Sequence, residues 1–214
     1  MDLYIDTANL DEIKQAADLG VLDGVTTNPT LIAKEGVDYG KRLADICKVV
    51  KGPVSAEVIA TDFDGMMREG RDRAKIAPNI VVKLPSTLAG LKACKTLSDE
   101  KIRTNLTLCF QPLQALMVAK AGAYLVSPFI GRLDDIGEDG MILIRDLRTI
   151  YDNYGFKTKI LAASIRHTTH LLHCAKAGAD VATCPLKVIL DCMKHPLTDA
   201  GIERFLADYK KAFG

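Results

Sequence analysis

The chain has no tryptophan, and aromatic residues make up only 6% of its 214 positions. Surfaces that bind single-stranded nucleic acid stack bases on aromatic side chains, so this scarcity argues against such a role. An excess of charge is missing too. Lys and Arg number 28 against 27 Asp and Glu, a net +1, and neither nucleic acid nor an anionic membrane is expected as a partner. No apolar run reaches the ~20 residues that cross a bilayer. The opening residues, Met1-Asp2-Leu3-Tyr4-Ile5-Asp6, lack the basic stretch and long apolar core of a signal peptide. The six cysteines (Cys47, Cys94, Cys109, Cys174, Cys184, Cys192) show no CxxC spacing and are too dilute for a disulfide framework. Buried, reduced thiols and a cytoplasmic location are expected. The P-loop, GxGxxG, HExxH and GxSxG patterns are all absent. No linker, low-complexity stretch or change of composition divides the chain, so a single domain over residues 1–214 is expected.

What is present is an alternation. Short apolar runs at 3–6, 24–28, 54–59, 80–84, 105–109, 124–129, 159–164 and 180–184 read as eight strands. Between them lie segments with helical spacing, starting at Leu10 and near Phe63, Thr87, Pro112, Glu138 and His167, with a final helix over about 200–213. Three of the helical segments run into Gly20, Gly122 and Gly178, which suits a left-handed residue after a helix. The stretch 30–50 is longer than one helix and reads as a helix plus an insertion. Strands alternating with helices imply parallel βαβ units. Eight of them fit an α/β fold, a single (β/α)8 TIM barrel with parallel strands and an extra C-terminal helix. A doubly wound open sheet is the alternative.

The residue that points to chemistry is Lys83. It stands inside Ile80-Val81-Val82-Lys83-Leu84-Pro85, a run that otherwise reads as a strand covered on both faces. A charged ammonium there is costly unless paired or neutralised. Desolvation lowers a lysine pKa, and the neutral amine can attack a carbonyl to form a Schiff base. The plainer reading is a strand-end lysine snorkelling to solvent. In a parallel barrel the functional end is where strands finish, and alternate residues point inward. Asp6 ends the first strand and Asn28 the second, and Glu57 lies near the end of the third. Asn105 and Thr107 share a face of the fifth strand, and Ser127 and Phe129 share a face of the sixth. Ser164 ends the seventh. These residues are expected to converge on Lys83, although Asp6 or Asn28 could instead cap the next helix and Ser164 could serve only in packing. Arg132 and Arg166, just beyond strands six and seven, suit a phosphate or surface ion pairs. His167, His170 and His173 diverge around a helix with no carboxylate or cysteine to complete a metal set, and read as helix-surface histidines.

Several motifs carry a family likeness: Tyr4-Ile5-Asp6-Thr7-Ala8, Gly24-Val25-Thr26-Thr27-Asn28-Pro29-Thr30-Leu31-Ile32 and Val81-Val82-Lys83-Leu84-Pro85. So do Asn105-Leu106-Thr107, 126–135 and Leu161-Ala162-Ala163-Ser164-Ile165-Arg166. Together they resemble the transaldolases, in particular the short single-barrel subfamily that includes fructose-6-phosphate aldolase. The resemblance runs essentially the whole length. It implies a (β/α)8 barrel, no metal or organic cofactor, and a homo-oligomer, a pentamer or decamer. It also implies a Schiff base on Lys83, with Asp6 taking the proton of the C4 hydroxyl and Glu57, Thr107 and a water shuttling protons. Asn28, Asn105 and Ser127 are implied to hold the dihydroxyacetone hydroxyls, and Arg132, Ser164 and Arg166 the sugar phosphate. The fructose-6-phosphate aldolases differ at Glu57 (Gln), Phe129 (Tyr) and Asn105 (not Asn).

The expected activity is therefore transfer of dihydroxyacetone in the pentose phosphate pathway. The donor is sedoheptulose 7-phosphate or fructose 6-phosphate, and the acceptor erythrose 4-phosphate or glyceraldehyde 3-phosphate. Two alternatives stand beside it: an aldolase that uses free dihydroxyacetone, and a non-catalytic sugar-phosphate binding protein.

Overall fold

A computed structural model describes residues 1–213. Eight parallel strands close on themselves in chain order: β1 (Asp2–Asp6), β2 (Gly24–Thr26), β3 (Val54–Glu57), β4 (Ile80–Pro85), β5 (Thr104–Cys109), β6 (Leu125–Pro128), β7 (Lys159–Ala162) and β8 (Val181–Cys184). Around them run α1 (Leu10–Asp18), α2 (Pro29–Lys34), α3 (Tyr39–Val49), α4 (Phe63–Ala74), α5 (Leu88–Asp99) and α6 (Pro112–Lys120). They are followed by α7 (Ile130–Asp134), α8 (Gly140–Tyr154), α9 (Thr168–Lys176), α10 (Leu186–Asp191) and α11 (Pro196–Phe213). This is a (β/α)8 barrel with an added C-terminal helix. The open sheet is ruled out by the β1–β8 pairing, in which Tyr4 lies opposite Thr183.

Local chemistry sets the boundaries. Asn9 caps α1, accepting the amides of Asp11 and Glu12, and Asp62 and Thr87 cap α4 and α5 in the same way. Gly20, Gly122 and Gly178 take φ of 73°, 87° and 78° after their helices, the left-handed geometry that glycine adopts without penalty. The stretch 30–50 proves to hold two helices, α2 and α3, separated by a turn through Gly36 at φ 64°. The last helix begins at Pro196, slightly earlier than its periodicity suggests, because a proline at the first position gives up an N–H that has no helical partner anyway.

The inside of the barrel is layered. Tyr4, Val81, Leu125, Leu161 and Val181 form one buried apolar cluster. Each stands on a different strand, and four of the five residues two further along, on the same face, are polar: Asp6, Lys83, Ser127 and Thr183, while Ala163 extends the apolar cluster. One pleat thus separates an apolar floor from a polar layer. Tyr4 fills that floor because Gly24 opposite it has no side chain; a Cβ there would lie 2.7 Å from the tyrosine ring. The alternate residues, among them Val82, Leu84, Leu106 and Val126, belong to the larger core between strands and helices.

All six cysteines are free; Cys94, Cys109, Cys174 and Cys184 are buried, while Cys192 departs from the expectation and is exposed. Burial pushes the thiols of Cys109, Cys174 and Cys184 up to about 12. None of the 18 residues of α11 is buried. Among the described residues no helix is long and apolar enough to cross a membrane.

Candidate active site

Strand register brings the central trio together. Lys83 pairs with Glu57 on one side and Asn105 on the other. The lysine is 5% exposed, so the snorkelling reading fails. Its Nζ lies 3.0 Å from Glu57 Oε2 and donates to the Thr27 carbonyl at 2.9 Å. An ammonium in this position is paired, as burial demands, and the carboxylate that pairs with it can also take its proton. The end of β3 is fixed in turn by Tyr39, whose hydroxyl donates to the Glu57 carbonyl at 2.7 Å. Burial raises that phenol to about 12, so it remains a donor, and the Arg73 guanidinium covers its ring at 4.2 Å.

Two hydroxyl chains flank the lysine. Asp6 Oδ1 accepts from Thr26 Oγ1 at 2.6 Å, and Thr26 meets the Thr183 hydroxyl at 2.7 Å. Asp6 is therefore a barrel-mouth carboxylate; the helix cap after β1 is Asn9. On the other side Asn105 Nδ2 donates to Ser55 Oγ at 3.1 Å and its Oδ1 accepts from Ser127 Oγ at 2.7 Å. Ser127 has spent its hydrogen and keeps lone pairs, while Asn105 keeps one N–H, a complementary pair for substrate hydroxyls. The Thr107 hydroxyl is buried without a protein partner, an uncommon state that asks for a polar ligand or water. Thr26, Ser55 and Thr183 were not foreseen. Their signal was period-two spacing with Asn28, Glu57 and Val181, weak because threonine is common in strands for packing reasons alone.

The barrel mouth holds two cavities that meet at Lys83. One, of about 220 Å³, is lined by Asp6, Thr26, Ser127, Ser164 and Arg166 among others. The second, of about 490 Å³, adds Glu57 and Thr107. Asn28, Lys83, Phe129 and Arg132 border both. Asn28 combines its two expected roles, since its Oδ1 caps α2 at the Leu31 amide, 2.9 Å away, while the residue lines the cavity. Phe129 packs edge-on against Phe110 with centroids 5.8 Å apart, under the Arg132 guanidinium at 5.0 Å. Arg132 has no acidic partner among the described residues, whereas Arg166 pairs with Asp135 at 2.6 Å. Arg166 thus makes a surface ion pair and also lines the cavity. All eleven side chains singled out from the sequence fall at this end of the barrel.

The histidines correct one expectation. His173 is exposed, but His167 caps α9, accepting the His170 amide at 3.2 Å, and His170 is buried. Its partner is Asp134, 2.7 Å from Nε2, the last residue of α7, which spacing within α9 could not reveal. Among the described residues no three His, Cys, Asp or Glu side chains gather as a metal site. A separate cavity of about 420 Å³ between α5 and α6 is lined mainly by apolar side chains, among them Leu88, Leu91, Leu113 and Met117, with Ser86, Thr87 and two glutamines but no titratable group, so it offers no ionisable acid or base.

Comparison with known proteins shows the family. Residues 3–214 match the family model described as transaldolase/fructose-6-phosphate aldolase. A protein of Flavobacterium psychrophilum named probable transaldolase is 60% identical over 99% of both chains. A probable transaldolase of a Hydrogenobaculum species is 58% identical over 99% of this chain and 97% of its own. Another, from Hyphomonas neptunium, is 60% identical over 99% and 98%.

Proposed function

The chain belongs to the transaldolase/fructose-6-phosphate aldolase family, and we propose that it acts as a transaldolase, with Lys83 as the Schiff-base residue. Glu57 removes the ammonium proton and the free amine attacks C2 of a ketose phosphate. The same carboxylate, with Thr107 and a water, returns a proton to the carbinolamine hydroxyl, which leaves as water. Asp6 takes the proton of the C4 hydroxyl and the C3–C4 bond breaks. The aldose phosphate departs, and the bonding electrons pass to the imine nitrogen to give an enamine. The enamine carbon attacks the aldehyde of an acceptor aldose phosphate, Asp6 protonates the new alkoxide, and hydrolysis frees the product ketose. Asn28, Asn105 and Ser127 hold the dihydroxyacetone hydroxyls, and Arg132, Ser164 and Arg166 the phosphate. Sedoheptulose 7-phosphate or fructose 6-phosphate serves as donor, and erythrose 4-phosphate or glyceraldehyde 3-phosphate as acceptor.

The observation that carries this reading is the buried Lys83 amine, 3.0 Å from Glu57 in a cavity that also contains Asp6. A single-domain binding protein would have no use for that arrangement. Borohydride added with fructose 6-phosphate should leave a reduced adduct on Lys83. Lys83→Ala should lose both adduct and transfer activity; near-native turnover by that variant would falsify the mechanism. Phe129 supports transfer over the use of free dihydroxyacetone, because it brings no hydroxyl to orient the water that would free the enamine. Rapid synthesis from free dihydroxyacetone and glyceraldehyde 3-phosphate would reverse that preference.

The same reading extends to setting and assembly. Six free thiols, four of them buried, suit a reducing cytoplasm. The exposed Leu197, Ile202, Phe205, Leu206, Tyr209 and Phe213 on a helix with no buried residue suit a homo-oligomer, a pentamer or decamer. Light scattering on the full chain and on one ending at His195 tests this: the full chain should be a defined oligomer, and the shortened chain should fall apart into smaller species.

A further inference from the structure

Resting on the phosphate site read above, we propose that His170 is a positioning residue, a neutral imidazole that locks the Ser164–Arg166 turn onto α7 and so sets Arg166 against Arg132. Arg132 stands on α7 and Arg166 in the turn after β7, so their spacing is not fixed by sheet register. At the near end the contact is backbone. Phe129 bridges Ala163, and the Ile130 amide donates to the Ala163 carbonyl at 3.1 Å. Gly131 lies so close that a Cβ would run into the Ser164 carbonyl oxygen and stand 2.9 Å from Arg166 Nε. At the far end the buried link is His170. Its Nε2 lies 2.7 Å from Asp134 Oδ2 on α7, and its Nδ1 accepts the amide of Arg166 itself at 3.3 Å. The other oxygen of Asp134 accepts the Gly140 amide at 2.9 Å, so α8 anchors the same chain of contacts. Ser164 between them sits at φ 60°, a strained conformation for serine that persists only where its surroundings impose it.

The two hydrogen bonds assign the proton to Nε2 and leave Nδ1 as acceptor. The charged and titratable groups facing the ring are Asp134 from α7, and His167 and Arg166 from the turn before α9. Burial first, then His167 and Arg166, hold the imidazole below its ordinary value, with Asp134 opposing them. Protonation would set an N–H at Nδ1 against the Arg166 N–H. The lock is therefore fully present above about pH 6.5, the ordinary histidine value, and is lost as the pH falls through the lowered value in the folded protein.

The test measures KM for fructose 6-phosphate and the inhibition constant of inorganic phosphate in wild type, His170→Ala, His170→Gln, His170→Asn and Arg132→Ala. His170→Ala is expected to raise both constants about tenfold, the scale of one hydrogen bond to a charged partner, with kcat nearly unchanged and the borohydride adduct on Lys83 retained. His170→Gln, which can still donate to Asp134, or His170→Asn, which can still accept from Arg166, should recover part of the loss and carry the test if the alanine variant does not fold. The ratio of variant to wild-type KM should shrink toward acid, a comparison in which titration of the substrate phosphate cancels. The assignment is overturned if His170→Ala leaves both constants unchanged, or lowers kcat without touching phosphate affinity, while Arg132→Ala still weakens phosphate. If Arg132→Ala also leaves phosphate inhibition intact, the phosphate-site reading itself is wrong.

Discussion

The two halves of the barrel mouth are held by different means. Around Lys83 the central groups ride on strands, in a register that pairs Glu57 with Lys83 and Lys83 with Asn105. Around the arginines the groups ride on a five-residue helix and a turn, joined by side chains and a tight glycine contact. Covalent chemistry needs reacting atoms placed within a fraction of an ångström, and a sheet supplies that rigidity. Recognition of a phosphate tolerates more, and two loop-borne guanidinium groups can supply it. Mutations should therefore separate cleanly, lowering kcat on the strand side and raising KM on the loop side.

The largest effect should come from Glu57. Glu57→Ala removes the carboxylate paired with Lys83, the proton acceptor in the proposed mechanism, and is expected to cut kcat by about 10²- to 10⁴-fold. It also leaves a buried ammonium without its countercharge, which costs roughly 3 kcal/mol, readable in urea unfolding. Glu57→Gln should lose comparable activity while keeping most of the stability, because a hydrogen-bond acceptor remains. A Glu57→Gln enzyme with wild-type kcat would show that the carboxylate does not move the proton.

On the loop side the counterpart is Gly131→Ala. The added methyl meets the Ser164 carbonyl, and backbone cannot rotate away as a side chain can. About 1–3 kcal/mol of destabilisation is expected, with KM for phosphorylated donors up by about two- to tenfold if half of that strain is relieved by displacing the turn. A fall in kcat with KM unchanged would place Gly131 on the wrong side of the comparison. Phe129 borders both cavities and should give a smaller, mixed response. Phe129→Tyr is expected to raise release of free dihydroxyacetone several-fold at the expense of transfer, measured as the ratio of the two products. No change in that ratio would mean that the ring does not decide the fate of the enamine.

The same division explains what could be read from the chain beforehand. The strand side was legible because its signals are local. A lysine in a β-branched run stands out, and period-two spacing assigns Asn105 and Thr107, or Ser127 and Phe129, to one face. Thr183 escaped because a threonine among valine and alanine looks like ordinary strand composition, and its meaning comes from Thr26 across the barrel. The loop side was legible only in part. Helices α7 and α10 are five and six residues long, too short for a helical period to show. His170 follows the helical spacing of a surface residue, and what it packs against is Asp134, 36 positions earlier in the chain and brought near by the pairing of β6 with β7.

The smallest expected effect sharpens the comparison most. Arg166 has two anchors: the buried His170 at its amide and the Asp135 carboxylate at its guanidinium. Asp135 and Arg166 are both about half exposed, and ion pairs in that setting contribute at most about 1 kcal/mol. Asp135→Asn should therefore change KM for fructose 6-phosphate by no more than about threefold, with the difference fading as salt screens the pair in wild type. His170→Ala, by contrast, should keep its larger effect at high salt, since a buried hydrogen bond is little screened. If the order is reversed, with Asp135→Asn the more damaging and its effect erased by salt, then the turn is held by surface charge. The loop half of the mouth would then be an electrostatic clasp, tuned by ionic strength and not by the protonation of an imidazole.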